Sequence, residues 1–408
     1  MPDAPRVTED PFVASGSRIG DRPAVHDTLR RAGPLVQVEV PVSGPVWIVT
    51  EDALAREVLS DPRFAKDPAL APAHWHGLDP SLEPPASEVR SLTTLDGTEH
   101  RRLRSAHAPA FTRRRLLLGR DRIATIARDL LTELAEESSR TGEPTDLVAR
   151  FTTHYPLMVI CDLLGVPLDD LAQAKQASEA MTHGDAAQVS AGFGELEAMV
   201  AAAIRTSKER DTGTLTDLIA ERARAEFDVS DDELLYMITG LIFAGQVTTE
   251  SFLGFLLAHQ LAGHLVTTGD DDDDAIDAFV TEALRLYPPS PFTLWRFTTT
   301  EIDIAGVTLP AGAPVLVDIE GINTGPSHRP APCAFDPGRP PQPDLTFGDG
   351  PHVCIGAQLA LLEARVVIAV LREDFPDAHL AVPFAELERD PSVHARRLAG
   401  LPTWLRRR

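Results

Sequence analysis

The sequence predicts a mainly helical protein with a small β-rich lobe, and three features carry that expectation. Apolar residues recur at helical spacing near 98–110, 115–138, 145–164, 168–182, 190–209, 214–226 and 231–262. The centre of the last run, from Met237 to Gly245, holds no charge, and a helix apolar on all sides belongs inside a domain. β-rich runs are confined mainly to 35–65 and 292–320, and no internal repeat or linker divides residues 1–408.

The elements follow in order. Residues 1–35 are polar and interrupted by proline, a lead-in with one short helix. The runs 35–41 and 45–50 flank Pro41 and Gly44 and can pair as a hairpin, followed by a helix over 51–60. Residues 66–92 hold Pro68, Pro72, Pro80, Pro84 and Pro85 and read as a long loop, a kind that is usually functional or disordered. Asp270–Asp274 reads as a solvated loop, and a helix over 275–287 stops at Pro288-Pro289. Short strands fill 292–319 around Gly306 and the Pro310-Ala311-Gly312 turn. A proline-rich meander, 326–343, leads to a last amphipathic helix over 357–373.

Composition narrows the function. The formal net charge of -23 argues against nucleic acid, whose binding depends on neutralising phosphates. Cys161, Cys333 and Cys354 form no C-x-x-C pair, so neither a disulfide framework nor a structural zinc is indicated, and a reducing cytosol fits best. The start of the chain carries no basic, apolar leader, and no long charge-free run suggests an anchor. The expectation is a soluble, cytoplasmic protein.

The chemistry concentrates in Phe347-Gly348-Asp349-Gly350-Pro351-His352-Val353-Cys354-Ile355-Gly356, just before the last helix. Glycines let this backbone turn tightly and approach a flat ligand. A cysteine at a helix start meets backbone N–H groups and the helix dipole, which favour the thiolate. The run resembles the haem loop of cytochromes P-450, with Cys354 as the iron ligand and Phe347 and Gly356 at defined motif positions.

Three further segments resemble the same family in the same order. Glu282-Ala283-Leu284-Arg285 is similar to its E-x-x-R; at i and i+3 the charged side chains share a helix face. The family's third partner, an arginine before the meander phenylalanine, is Ala334 here, and Arg339 or Arg329 can substitute. Asp96 to Arg104 resembles the helix over one haem edge. The resemblance makes His100, Arg104, Arg296 and His352 ligands of the two propionates of haem b, each carboxylate needing a charge-assisted partner. Ala244-Gly245-Gln246-Val247-Thr248-Thr249 resembles the oxygen-binding bend, where Gly245 leaves room and Thr248 can hydrogen-bond dioxygen or bond back to the helix. Cys161, in an ordinary packing helix, reads as structural.

The resemblance covers nearly the whole chain and implies a single cytochrome P-450 domain. It implies a monomeric monooxygenase that takes O2, two protons and two electrons, the electrons from a ferredoxin and its reductase. Arg101, Arg102, Arg113, Arg114 and Arg115 are candidates for docking that acidic donor. Substrate candidates are Leu241, Phe292, Thr293, Leu294, Val393 and His394, with His74 and Trp75 in the long loop. One departure stands out. Val247 occupies the position where the family carries an acid, and valine moves no proton. Thr248 or Gln246 would have to serve. That favours coupling, cyclisation or desaturation over simple hydroxylation in a tailoring step of natural-product biosynthesis. A peroxide-driven peroxygenase and a non-catalytic haem-binding sensor are the alternatives.

Overall fold

Ser230 opens the longest element. Its hydroxyl accepts the Glu233 N–H at 3.1 Å, and the Glu233 carboxylate accepts the Ser230 N–H at 3.0 Å. This capping box, with Asp231 and Asp232 in the first turn, starts the 31-residue central helix Asp231–Leu261. The helix spans roughly 46 Å at 1.5 Å per residue. It is long and apolar enough to cross a membrane, but 72% of its most apolar window is buried among other helices. It is therefore a core helix.

The computed structural model describes residues 5–8, 11–12, 18–40, 44–73, 75, 91–167, 173, 176–177, 180, 186–209, 213–266, 272–326, 330–390 and 396–406. Around the central helix lie Gly97–His107, Arg120–Thr141, Tyr155–Leu164, Ala186–Glu209, Leu215–Glu226 and Ala357–Asp374. One continuous core of buried residues joins them. The strands are β1 Arg6–Val7, β2 Leu35–Val40, β3 Gly44–Val49, β4 Phe64–Ala65, β5 Thr145–Asp146, β6 Arg296–Thr298, β7 Ile302–Ile304, β8 Val307–Leu309, β9 Pro314–Val317, β10 His379–Leu380 and β11 Pro402–Trp404. The main sheet runs β1-β2-β3-β9-β6-β4. The expected hairpin is β2–β3, with Leu35 opposite Val49 and Val40 opposite Gly44. β9 then pairs in parallel with β3, Trp47 facing Val315. This brings the 292–320 segment against the N-terminal strands.

Three sequence expectations shift. The 145–164 run is broken into β5, a π-helical turn over Val148–Thr152 and the helix Tyr155–Leu164. The 115–138 run begins later, at Arg120, after the short helix Arg113–Leu116. Asp272, Asp273 and Asp274 form the first turn of the helix Asp272–Leu286 rather than a loop. Acidic side chains suit a helix N-terminus, and Arg372 pairs with Asp272 at 3.0 Å. Most of the 168–182 run and most of the 66–92 loop lie outside the described residues.

Behind the sheet, the fully buried His26 sits between Asp318 at 2.7 Å and Glu320 at 3.3 Å, and Arg396 reaches Glu320 at 3.1 Å. Burial pulls the imidazole pKa down, but the two carboxylates outweigh it and raise it from 6.5 to about 9. A histidine held above its unfolded value adds stability that is complete below pH 6.5 and is lost as pH rises through about 9. On the acid side, burial holds His107 near 4 and His259 near 3. Their unfolded forms take protons first, so stability falls as pH drops below the ordinary 6.5. The unfolding midpoint is therefore expected to peak near neutrality. Thermal scans of His26→Gln should show a flatter alkaline limb; a limb as steep as in the parent would contradict the assignment.

Candidate active site

The loop before the last helix is fixed by its own backbone. Gly348 and Gly350 adopt φ of +73° and +70°, a region costly for other residues. A side chain at Gly350 would come within 2.6 Å of the Leu59 carbonyl, so the loop can lie against the helix Asp52–Ser60 only with glycine there. Arg56 on that helix pairs with Asp349 at 2.5 Å. The Cys354 N–H donates to the Phe347 carbonyl at 2.8 Å, closing the loop. Gly356 caps the helix Ala357–Asp374. The Gly356 and Ala357 N–H groups reach the Cys354 sulfur, as a helix start allows. Burial nevertheless pushes the thiol up, against these N–H groups and the Arg104 charge. The expected preference for thiolate therefore does not come from the protein alone. Cys354 remains exposed to solvent on one side.

Beside the loop lies a cluster of cations. Arg104 donates to the Val353 carbonyl at 2.7 Å. The His100 and His352 rings stand 4.1 Å apart between centroids. His352 Nε2 meets Asp96 Oδ1 at 2.9 Å, and Asp96 Oδ2 accepts the Lys66 N–H at 2.6 Å. Lys66 Nζ donates to the Trp295 carbonyl. Arg296 is buried and donates to the Phe64 carbonyl at 3.2 Å. Burial, with the charges of His352 and Arg104, holds His100 down to about 4. Burial also lowers Arg296 to about 10, with Asp96 opposing. Asp96 behaves oppositely: burial raises it, but His352, the Lys66 N–H and Arg296 together hold it below the usual carboxylate range. Among the described residues, His100 Nε2 and Arg296 Nε are buried with no hydrogen-bond partner. A buried donor without an acceptor is costly, so these atoms await an anionic ligand.

On the central helix, Leu241, Ala244 and Thr248 are spaced three and four apart and share one face. Ala244 and Thr248 are accessible and Leu241 partly so. Thr248 Oγ1 donates back to the Ala244 carbonyl at 2.8 Å. Gln246 projects to the opposite side, where its amide donates to Glu250 Oε2 at 2.7 Å. A side chain added at Gly245 would contact Ile160 at 3.6 Å, on the neighbouring helix Tyr155–Leu164.

The family model described as cytochrome P450 matches residues 275–376. The cytochrome P-450 monooxygenase DoxA of Streptomyces sp. strain C5 is 53% identical over 425 residues, covering 99% of both chains. DoxA of Streptomyces peucetius subsp. caesius is 51% identical with the same coverage. The chain belongs to the cytochrome P450 family. Among solved structures, CYP154C4 from Streptomyces sp. ATCC 11861 superposes with a TM-score of 0.83 at 30% identity, over 98% of each chain. The chain is thus a cytochrome P450 monooxygenase, and its family implies a haem-iron cofactor.

The residues present fit that group. A haem brings a metal that takes a thiolate and two carboxylates that take cations. Here one thiol opens beside a basic cluster in which two buried nitrogens, His100 Nε2 and Arg296 Nε, lack a partner among the described residues. Among the described residues no cluster of three or more His, Cys, Asp or Glu could hold a metal.

The E-x-x-R pair of this P450 forms a buried fork. Arg285 Nε and Nη2 each lie 2.7 Å from the Glu282 carboxylate. The third partner is Arg339, 3.5 Å from Glu282; Arg329 lies outside the described residues. The substrate candidates divide. Phe292 packs in the lobe core against Phe12 and His26, where an isolated bridge pairs it with Asp318 just past β9. Thr293 spends both its N–H and its hydroxyl on Val317. Leu294 alone of the three presents an exposed side chain, at 38%. Trp75 packs edge-on against Trp295 and Phe297. His74, Val393 and His394 lie outside the described residues. Among the arginines considered for docking a donor, Arg102 pairs with Glu233 and Arg115 with the Gly213 carbonyl, whereas Arg101, Arg113 and Arg114 are exposed.

Sequence reading missed Lys66, Asp96, Glu250 and Arg397. Asp96 was visible as the residue before a helix. Glu250 was visible as a charge inside an apolar run. Nothing local marked Lys66 or Arg397.

Proposed function

We propose that this P450 oxidises an apolar, ring-containing organic molecule, inserting oxygen into it or removing hydrogen from it, with O2, two protons and two electrons from a ferredoxin and its reductase, as a tailoring step in the biosynthesis of an antibiotic-type natural product in the cytoplasm. The observation that carries it is the Cys354 thiol opening beside a basic cluster in which the buried His100 Nε2 and Arg296 Nε lack a partner among the described residues. Bound haem b would supply reductive activation of O2. Cys354 would hold the iron, while His100, Arg104, Arg296 and His352 would hold the propionates, Asp96 orienting His352 and Phe347 and Gly356 shaping the loop. Leu241, Ala244 and Leu294 would exclude water around the substrate, and Thr248 would pass a proton from its hydroxyl. The CYP154C4 neighbour, solved with testosterone bound, supports a ring-containing apolar substrate. Exposed Arg101, Arg113 and Arg114, next to Leu117 and Leu118 at 43% and 75% exposure, support docking of an acidic ferredoxin.

Reduced protein under CO should give the red-shifted Soret band of a thiolate-bound haem. A band typical of a nitrogen ligand would end the reading. NADH consumption with a ferredoxin pair, matched to product, should exceed turnover with peroxide alone; the reverse would favour a peroxygenase.

Val247 supports a second reading of the outcome. With no acid beside Thr248, and with the Gln246 amide committed to Glu250, proton delivery is limited. In this reading the oxidised substrate couples, cyclises or loses a second hydrogen instead of gaining a hydroxyl group. Val247→Glu should raise product per NADH by about threefold or more, a small part of the roughly 10²–10⁴ that a placed acid contributes. An unchanged ratio would make the missing acid irrelevant.

A further inference from the structure

The turn that carries Thr248 is held from behind. Two side chains bond back into it: Thr248 to the Ala244 carbonyl at 2.8 Å and Ser251 to the Val247 carbonyl at 2.9 Å. Such bonds compete with the helix ladder and bend it. On the opposite face Glu250, only 8% exposed, accepts from Gln246 at 2.7 Å and pairs with Arg397 at 3.3 Å. Arg397 in turn pairs with Asp390 at 2.6 Å.

Asp390 and Arg397 form the neck of a hairpin. The Asp390 N–H donates to the Arg397 carbonyl at 2.9 Å, and Arg389 bridges Leu398 antiparallel. The neck is seated on the central helix one turn beyond Glu250: a Cβ at Gly254 would sit 3.9 Å from Leu398. It is also tied to the opposite side. Arg396 reaches Glu320 at 3.1 Å and His26 at 3.2 Å, and Arg389 bonds the Arg18 and Ile19 carbonyls at 3.2 Å each. The neck is thus anchored independently of the central helix, and Glu250 is the charge through which it grips that helix.

We propose that Glu250 is a positioning residue for the oxygen side of the site. Through Arg397 it ties the weakened turn 244–251 to the anchored hairpin neck, and so fixes where the Thr248 hydroxyl stands. A carboxylate absent before Thr248 is therefore present behind it, acting on geometry and not on proton transfer. The inference rests on the haem-thiolate reading, because the turn matters only if dioxygen binds over it.

Carbon monoxide is the probe. In the reduced, CO-bound holoenzyme, the infrared C–O stretch reports the polar groups beside the distal ligand, and the Soret position reports the thiolate. Glu250→Gln and Arg397→Met should each keep the thiolate Soret band and haem content while shifting the C–O stretch in the same direction. The double variant should shift it no further, the non-additivity expected of one shared contact. Glu250→Asp should shift it less, and it keeps the test open if the glutamine variant does not fold. A C–O stretch unmoved in variants that load haem normally overturns the proposal, even if their urea midpoints fall. Absence of the thiolate band in the parent protein would instead fail the underlying reading.

Discussion

Cys354→Ala and Cys354→His should abolish the thiolate band of the reduced CO complex and all ferredoxin-driven turnover, while Cys161→Ala leaves both intact. The contrast follows from where the two sulfurs sit. Cys161 is 1% exposed within the helical core, and burial, with Asp162, pushes its thiol to about 12. It is a small apolar filler, and its truncation should cost on the order of 1 kcal/mol. Cys354 is accessible, receives the Gly356 and Ala357 N–H groups and lies near Arg104. The protein alone still favours its thiol, so metal binding must release the proton. Haem affinity should therefore rise with pH up to the thiol's own titration, and this rise should vanish in Cys354→Ala. Histidine at 354 can bind iron but cannot push electron density as a thiolate does. If the Cys354 variants kept the parent spectrum, and Cys161→Ala lost it, the assignment would be reversed.

The path from sequence to site was legible where the signal is local. The hairpin β2–β3, the central helix and the cysteine loop are each encoded by residues within a few positions, through alternation, a capping box and obligatory glycines. The propionate cluster was legible only by resemblance. His100 and Arg104 share a helix face, but Arg296 and His352 join them from far along the chain. Phe292 shows the limit. An aromatic residue after the E-x-x-R helix can face a substrate or the lobe core, and only the pairing with Asp318 decides. Asp272–Asp274 failed for a different reason: a run of acids reads as solvated, yet the same charges are favoured at a helix start. Arg397 acts through Glu250, well over a hundred positions away, and no pattern in either segment announces the other.

Arg285→Ala is expected to cost about 3–5 kcal/mol, a large share of the roughly 5–15 kcal/mol of a typical domain. Arg285 is 3% exposed and Glu282 5%, so truncation leaves a buried carboxylate with Arg339 at 3.5 Å and the Asp336 N–H at 3.0 Å. The loss reaches further than the pair. Arg285 also donates to the carbonyls of Asn323 at 2.9 Å, Pro332 at 2.7 Å and Ala334 at 3.2 Å. The Asn323 side chain in turn holds Thr346 at 2.9 Å and the Leu345 N–H at 2.9 Å, directly before Phe347, whose carbonyl receives the Cys354 N–H. One guanidinium thus links the helix, the meander and the cysteine loop. The variant should purify with a lowered haem-to-protein ratio and an early urea midpoint. Arg285→Lys keeps the charge but not the fork, and should fall between. Replacing both partners together, Glu282→Leu with Arg285→Met, separates the two contributions. If the pair matters only as a buried ion pair, the double variant recovers most of the stability, because apolar substitutes often do. If the three carbonyls matter, as the geometry indicates, the double variant stays unstable and poor in haem. Full recovery of both stability and haem content would show that Arg285 braces nothing beyond its own carboxylate.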